Sequence, residues 1–164
     1  MSDMRIRPAR AGDLDAINEI YHHSVLHSTC TYQTEPWTPD ERSAWFSAHD
    51  AKHPITVAVV DEQIAGWGAL SRFHQRCAYG RTVEDSVYVR PDMLRRGIGS
   101  ALLSDLIARG RSLAHHTIIA VVDSSQAASI ALHDRVGFQA CGHLREVGYK
   151  FDRWLDVLYM QLLL

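Results

Sequence analysis

The sequence lacks long hydrophobic runs and any excess of charge of one sign. Its longest unbroken apolar run is Ile118 to Val122, which is far shorter than the ~20 residues that a membrane-spanning helix requires. The 17 Lys and Arg residues nearly balance the 19 Asp and Glu residues, so the formal net charge is −2. Such a chain has no broad basic surface for nucleic acid or an anionic membrane. We therefore expect neither a membrane nor a nucleic-acid partner.

Paired cysteines and metal-ligand patterns are also missing. The three cysteines, Cys30, Cys77 and Cys141, form no CxxC pair, and an odd number of such thiols is typical of a reduced, cytoplasmic protein. Charged side chains among the first fifteen residues leave no apolar core for a signal peptide. His23 and His27 lie one helical turn apart, but no carboxylate or cysteine nearby completes a ligand set. We expect a cytoplasmic protein without a metal.

The length and apolar content suit one domain. The chain has 164 residues, of which 46% are hydrophobic, and a domain averages roughly 150 residues. Residues 1–164 are therefore predicted to form a single domain. Changes between helical and strand periodicity predict the element order β-α-α-β-β-β-α-β-α-β-β. That order indicates an α/β protein in which helices cover the faces of a mixed sheet.

Local signals mark two helix starts. Thr38-Pro-Asp-Glu41 reads as a capping box, with proline at the first helical position. Trp45 and Phe46 are the expected buried residues of that helix. Further along the chain, Ser124 or Ser125 is expected to cap another helix.

The strand predicted at Thr82–Val89 presents two different faces. Its period of two places Glu84, Ser86 and Tyr88 on one face. Three valines and Asp85 occupy the other face, where Asp85 is interpreted as structural.

The most informative segment is the strand–loop–helix from Val87 to Leu103, VYVRPDMLRRGIGSALL. Glycines let backbone N–H groups approach a ligand, and the first N–H groups of a helix carry partial positive charge, to which Arg95 and Arg96 add. This chemistry favours binding of a phosphate or pyrophosphate. Leu102 stands where a dinucleotide fingerprint needs its third glycine, and no lysine follows Gly99 as in a Walker A loop. A flexible turn with solvated arginines is the alternative at this point.

Further matches extend beyond this loop. The RRGIG loop, the helix and apolar strand after it, and Ala131-Leu-His-Asp-Arg-Val-Gly-Phe138 resemble the GCN5-related N-acetyltransferase superfamily over nearly the whole chain. Three segments are similar to its phosphinothricin and methionine sulfoximine acetyltransferase branch: Thr82-Val-Glu-Asp-Ser-Val-Tyr-Val89, Val147-Gly-Tyr-Lys150 and Arg153-Trp-Leu-Asp156. The resemblance implies a single α/β domain with a mixed, mostly antiparallel central sheet flanked by helices.

The resemblance implies acetyl-CoA as cosubstrate and indicates where it binds. The loop backbone would hold the pyrophosphate at Arg95, Arg96, Gly97, Ile98, Gly99 and Ser100. The pantetheine arm would pair with the preceding strand as an added β-strand, at Val87, Tyr88 and Val89. One N–H of that strand would stabilise the developing oxyanion. Two positions depart from the family pattern: Leu94 replaces a Gln or Arg, and Gln126 stands where an Asn often contacts CoA.

The resemblance also implies which residues move protons. An amino-acid ammonium must lose a proton before it attacks, and Glu84 matches the glutamate that the branch carries before Ser-Val-Tyr-Val. Glu84 is therefore the candidate general base; the alternative is a solvated strand-edge carboxylate, which fits so apolar a strand poorly. His133 stands where many members use a tyrosine to protonate the departing thiolate. A histidine that merely packs in its helix is the equal alternative.

Five residues align with substrate-pocket positions of the branch. Phe73, Arg76 and Tyr79 match aromatic and basic positions there. Arginine binds a carboxylate or phosphinate through two hydrogen bonds, and aromatic rings cover a small methylated side chain. Tyr32 and Glu35 resemble a second pocket segment, for which ordinary loop burial is the alternative.

The sequence thus predicts an enzyme that moves an acetyl group from acetyl-CoA directly to the α-amine of a small amino acid or analogue. Phosphinothricin, methionine sulfoximine and methionine sulfone are the acceptors that the resemblance implies. Two alternatives stay open: a protein N-terminal or other small-amine acetyltransferase, and an acetyl-CoA-binding sensor without catalysis. The apolar C-terminus, Leu155 to Leu164, is expected to be exposed and, with the branch resemblance, predicts a homodimer.

Overall fold

Seven strands and four helices follow one another in the order that the sequence predicts. The structure, a computed structural model, describes residues 4–164. The strands are β1 Met4–Pro8, β2 Ile55–Val60, β3 Gln63–Arg72, β4 Thr82–Val89, β5 Thr117–Asp123, β6 Gln139–Lys150 and β7 Arg153–Leu163. The helices are α1 Leu14–His27, α2 Pro39–Ser47, α3 Ile98–Ser112 and α4 Ala127–Arg135. None of these helices has the length and apolar character to cross a membrane.

The strands form one mixed sheet in the order β1-β2-β3-β4-β5-β7-β6. Every neighbouring pair is antiparallel except β4 and β5, which run parallel. These two strands share only three pairs, and the last of them joins Glu84 to Ile119. β4 continues to Val89 while pairing with β3 on its other side. The sheet therefore opens between β4 and β5 beyond Glu84.

Helices cover both faces of the sheet, as predicted. On one face, Ile17 and Val25 of α1 pack against Val57 and Trp67 of the sheet. On the other face, Leu103 and Leu106 of α3 pack on β3, β4 and β5 in a second apolar cluster. Alternate residues of β4 thus contact different layers, which separates Glu84 from Asp85.

Two local predictions need correction. The capping box at Thr38 and Glu41 is confirmed, but Trp45 and Phe46 are only half-buried, and the buried residue of α2 is Arg42. Neither serine caps α4, whose N-cap is Gln126. The Ser125 hydroxyl donates instead to the Asp123 carboxylate, which holds the turn before the helix.

Contrary to the prediction, most of the apolar side chains of the C-terminal segment are buried or half-buried. β7 lies between β5 and β6 and pairs with both. The sequence of one apolar strand does not show which strands will flank it. Leu155, Val157, Met160 and Leu162 are buried in consequence. Leu163, at the end of β7, is exposed, and a group of exposed apolar side chains lies around the β6–β7 hairpin, at Leu144, Val147, Tyr149, Phe151 and Trp154.

Candidate active site

Glu84 lies at the point where β4 and β5 separate. Its side chain shares a face with that of Tyr88, whose ring stacks on Trp67 at 4.8 Å between centroids. Within residues 4–164 no group hydrogen-bonds to the Glu84 carboxylate. Burial is the main cause, and the negative charge of Asp85 the second cause, that raises the pKa of Glu84 to about 7. A carboxylate with this pKa is well matched to proton transfer near neutral pH. The geometry is thus compatible with the predicted general base.

The edge of β4 beyond Glu84 is open on the side of β5. No residue from Asp85 to Val89 pairs with β5, so backbone groups along this edge lack a strand partner there. Val87, Tyr88 and Val89, the predicted partners of pantetheine, lie on this stretch. An extended chain with amide groups could add to the edge as a further strand.

The glycine-rich loop ends in a helix N-terminus next to that edge. Gly97 is the N-cap of α3 with φ of +80°, a left-handed conformation that glycine adopts without strain. Helix α3 begins at Ile98, whose side chain is buried, so only its backbone is available to a ligand. Arg95 and Arg96 are exposed beside the first turn. The free N–H groups, the helix dipole and the two cations together suit an anion.

The Gln126 amide is already engaged in the protein. Its Nε2 donates to Thr29 Oγ1 at 3.0 Å and lies 3.4 Å from Ser28 Oγ. Gln126 therefore joins the start of α4 to the segment that follows α1. A contact between its carbonyl oxygen and CoA stays a prediction.

His133 lies on the α4 side of β4, opposite Glu84. It is 4% exposed; its Nδ1 donates to the Ser129 carbonyl oxygen at 2.7 Å, and its Nε2 lies 3.0 Å from Asp85 Oδ2. Both ring nitrogens are therefore occupied, which the sequence did not reveal. A proton can leave the Nε2 atom only if its bond to Asp85 breaks.

Three of the five predicted acceptor residues, Phe73, Arg76 and Tyr79, lie in the connection between β3 and β4. Rings of Phe73 and Tyr79 pack edge to face with centroids 5.8 Å apart, and His74 contacts both. A cavity of about 290 Å³ is lined by His74, Gln75, Arg76 and Tyr79. The sequence prediction missed His74 and Gln75 because their only signal is proximity to Arg76.

Tyr32 and Glu35 do not line this cavity. The Tyr32 hydroxyl lies 2.9 Å from both Asp123 Oδ2 and the Asp156 carbonyl oxygen. Its ring faces Gly148 so closely that a Cβ there would lie 2.5 Å from a ring carbon. Tyr32 thus fastens the segment after α1 to the C-terminal strands, and Glu35 is exposed.

Lys150 is a further residue that the sequence prediction missed. Lys150 is only 5% exposed, and its Nζ donates to the carbonyl oxygens of Ser28 and Thr31 at 2.7 and 2.8 Å. Burial lowers its pKa. Lys150, Tyr32 and Gln126 together hold the Ser28–Tyr32 segment against the end of β5, the start of α4 and the strands β6 and β7.

Comparisons with known proteins identify the family of the chain. Residues 17–138 match the acetyltransferase (GNAT) family. A methionine sulfoximine/methionine sulfone acetyltransferase of Salmonella typhimurium is 38% identical, covering 97% of this chain and 94% of the relative. A phosphinothricin N-acetyltransferase of Alcaligenes faecalis is 39% identical, covering 95% and 80%.

A solved structure shares the fold. The phosphinothricin acetyltransferase of Sinorhizobium meliloti in complex with acetyl-CoA has a TM-score of 0.95 and 39% identity, covering 98% of this chain and 88% of that chain. The predicted α/β fold and family resemblance are confirmed. The chain belongs to the acetyltransferase (GNAT) family and is an N-acetyltransferase.

Proposed function

We propose that this enzyme transfers the acetyl group of acetyl-CoA to the α-amine of a small amino acid or analogue. Acceptors of the phosphinothricin, methionine sulfoximine and methionine sulfone type follow from the names of relatives that match nearly the whole chain. The observation that carries the proposal is the position of Glu84. Its carboxylate, with a pKa of about 7, lies where the unpaired edge of β4 begins.

The residues present fit acetyl-CoA. A pyrophosphate matches the first turn of α3, with its free N–H groups and the flanking Arg95 and Arg96. A Cβ at Gly97 would meet nothing within 4 Å, so the protein leaves space on that side of the loop. The pantetheine amides match the open edge at Val87–Val89. Acetyl-CoA supplies the activated acetyl group.

Glu84 starts the reaction by accepting a proton from the substrate ammonium, directly or through a water. The resulting amine attacks the thioester carbonyl, and a backbone N–H of β4 stabilises the oxyanion that develops. Transfer is direct, without an acyl-enzyme, because the proposed site uses no thiol. Cys30, Cys77 and Cys141 are exposed free cysteines that lie outside the glycine-rich loop and β4.

His133 completes the reaction by protonating the leaving thiolate: its Nε2–H leaves the hydrogen bond to Asp85 Oδ2 as the proton passes to the sulfur. When the C–S bond breaks, the attacking nitrogen loses its second proton to solvent and the sulfur gains one from the ring. Per turnover, the ammonium and the thioester thus yield an amide, a thiol and one released proton. His133 is hydrogen-bonded to Asp85, which directly follows the last residue of β4 that pairs with β5.

Arg76 is the proposed ligand for the acidic group of the acceptor. It lines the cavity together with Tyr79, and a guanidinium pairs with a carboxylate or phosphinate through two hydrogen bonds. A polyamine would instead bring its cations against the arginine. This argues for an amino-acid acceptor over a polyamine.

The test is to incubate the enzyme and acetyl-CoA with each amine of a panel and to measure the rate at which free CoA thiol is released. Methionine sulfoximine, methionine sulfone and phosphinothricin should release thiol at rates at least tenfold above those with spermidine and a short peptide. Equal or faster turnover of the peptide would indicate a protein N-terminal acetyltransferase. Calorimetric binding of acetyl-CoA without turnover of any amine would indicate a sensor.

We also propose that the enzyme is a cytoplasmic homodimer. The support is the exposed apolar group around the β6–β7 hairpin, where Tyr149 and Trp154 pack edge to face at 5.0 Å and are 54% and 61% exposed. Exposed apolar patches of this kind mark interfaces. Light scattering should give twice the 18.5 kDa chain mass, and Trp154→Lys should shift it toward the monomer. A wild-type mass of one chain would contradict the proposal.

A further inference from the structure

Asp85 and His133 form a buried pair across the opening in the sheet. Their side chains are 2% and 5% exposed, and Asp85 Oδ2 lies 3.0 Å from His133 Nε2. Asp85 is the first residue of β4 beyond its last pair with β5, whereas His133 belongs to α4, which packs on β5. The edge of the Phe138 ring abuts the imidazole at 5.0 Å between centroids.

Hydrogen bonding determines the proton count of this pair. The Ser129 carbonyl oxygen can only accept, so His133 Nδ1 carries a proton. A lone pair at Nε2 would face the Asp85 carboxylate and be repelled, so a second proton lies between Nε2 and Oδ2. The pair thus holds a proton that a neutral histidine beside an ionised aspartate would lack.

The surrounding charges support a charged ring. Burial lowers the pKa of His133, but the hydrogen bond and charge of Asp85 outweigh it, so the net shift is upward. Within residues 4–164, Asp85 is the acidic group in contact with the ring. The α4 neighbours Asp134 and Arg135 are exposed, Phe138 adds no charge, and α3 contributes Leu103 and Leu106 to this layer.

We propose that Asp85 is a positioning residue of the reaction, which holds His133 doubly protonated with its Nε2 proton at the point where β4 and β5 separate. The inference rests on the proposed function, in which that proton passes to the leaving thiolate. The hydrogen bond from Nε2–H to Asp85 Oδ2 opens, and the bond from Nε2 to hydrogen breaks as the sulfur–hydrogen bond forms. Nδ1 keeps its own proton, which it donates to the Ser129 carbonyl oxygen. A proton from solvent then restores the pair.

Asp85→Asn tests this role with little change of shape. The amide can donate to an unprotonated Nε2, so the variant keeps the hydrogen bond and favours a neutral ring. An opposite charge at this distance raises a pKa by about 1–3 units. In an NMR titration, His133 of the variant should therefore titrate at least one unit lower than in the wild type.

The same shift should appear in the rate. Because the acid works only while protonated, kcat falls as pH rises through the pKa of His133, and the variant's alkaline limb should move down with the NMR value. Above both values kcat should be at least tenfold lower, with the Kd of CoA unchanged within twofold. Asp105→Asn, which removes a surface partner of Arg109, is the control and should leave both profiles unchanged.

Two results would overturn the inference. One is a wild-type His133 that titrates at or below the ordinary value of about 6.5. The other is a variant whose alkaline limb stays in place while thermal stability or CoA binding falls, because Asp85 would then only fasten α4 to β4. If no amine of the panel is acetylated, the proposed function fails, and the NMR titration still decides the protonation of the pair.

Discussion

Glu84→Gln is expected to reduce kcat for the best amino-acid acceptor by about 10²–10⁴-fold at pH 7.5, the range for loss of a general base. The amide occupies the same space but cannot accept the ammonium proton. The pKa of about 7 also sets the pH dependence. Because the base works only when ionised, the wild-type kcat/KM should rise as pH increases through about 7, and the variant should lack this limb.

The matched control is Glu62→Gln, which removes an exposed carboxylate paired with Arg5 at the other end of the sheet. Its rate should equal that of the wild type. Calorimetry should show that Glu84→Gln binds CoA with unchanged affinity, because the pyrophosphate site is separate. Full activity of Glu84→Gln at pH 7.5 would reject the base assignment, although the family membership would stand.

Glu84→Gln should also stabilise the folded protein. The pKa of Glu84 is higher in the folded chain than the ordinary value of 4.5, so the folded state binds more protons between pH 4.5 and 7. Ionising the buried carboxyl therefore costs stability, a penalty that is absent at low pH and complete above about pH 7. In urea unfolding, Glu84→Gln should be more stable than the wild type at pH 8 and nearly equal to it at pH 4.

The largest expected effect on stability comes from Arg42→Ala. Arg42 is 1% exposed, and its guanidinium carbon lies 4.4, 4.6 and 4.7 Å from the ring centroids of Trp37, Trp45 and Tyr21. Its Nε donates to Asn18 Oδ1 at 3.0 Å. Truncation leaves a large cavity among aromatic rings, and comparable deletions cost about 3–5 kcal/mol.

Arg42→Met separates the volume of this side chain from its charge. Within the described residues no carboxylate pairs with the guanidinium, Nη2 has no partner, and burial lowers the pKa of Arg42 to about 10. An apolar chain of similar length should therefore cost less than about 2 kcal/mol in urea unfolding, since volume-conserving core changes are tolerated well. A loss for Arg42→Met equal to that for Arg42→Ala would show that the cation itself holds the layer.

Most elements were predictable because their signals are local. The capping box at Thr38, the almost wholly apolar β2 and the alternation along β4 each depend on neighbours within a few residues. Corrections arise where the partner is distant. Tyr32 resembles a pocket residue until Asp123, 91 positions away, accepts its hydroxyl hydrogen, and β7 is buried only because β5 and β6 pair on both its sides.

The sequence by itself determined the family, the order of the elements and the loop that suits a pyrophosphate, because the motifs and periodicities behind them are short-range. Tertiary structure alone decided the partner of each buried polar group. Asp85 and His133 are 48 positions apart, and their bond depends on how α4 and the open edge of β4 pack together. Side-chain burial and the pairing of distant strands arise only when the layers assemble, and they determine which groups of the site are protonated.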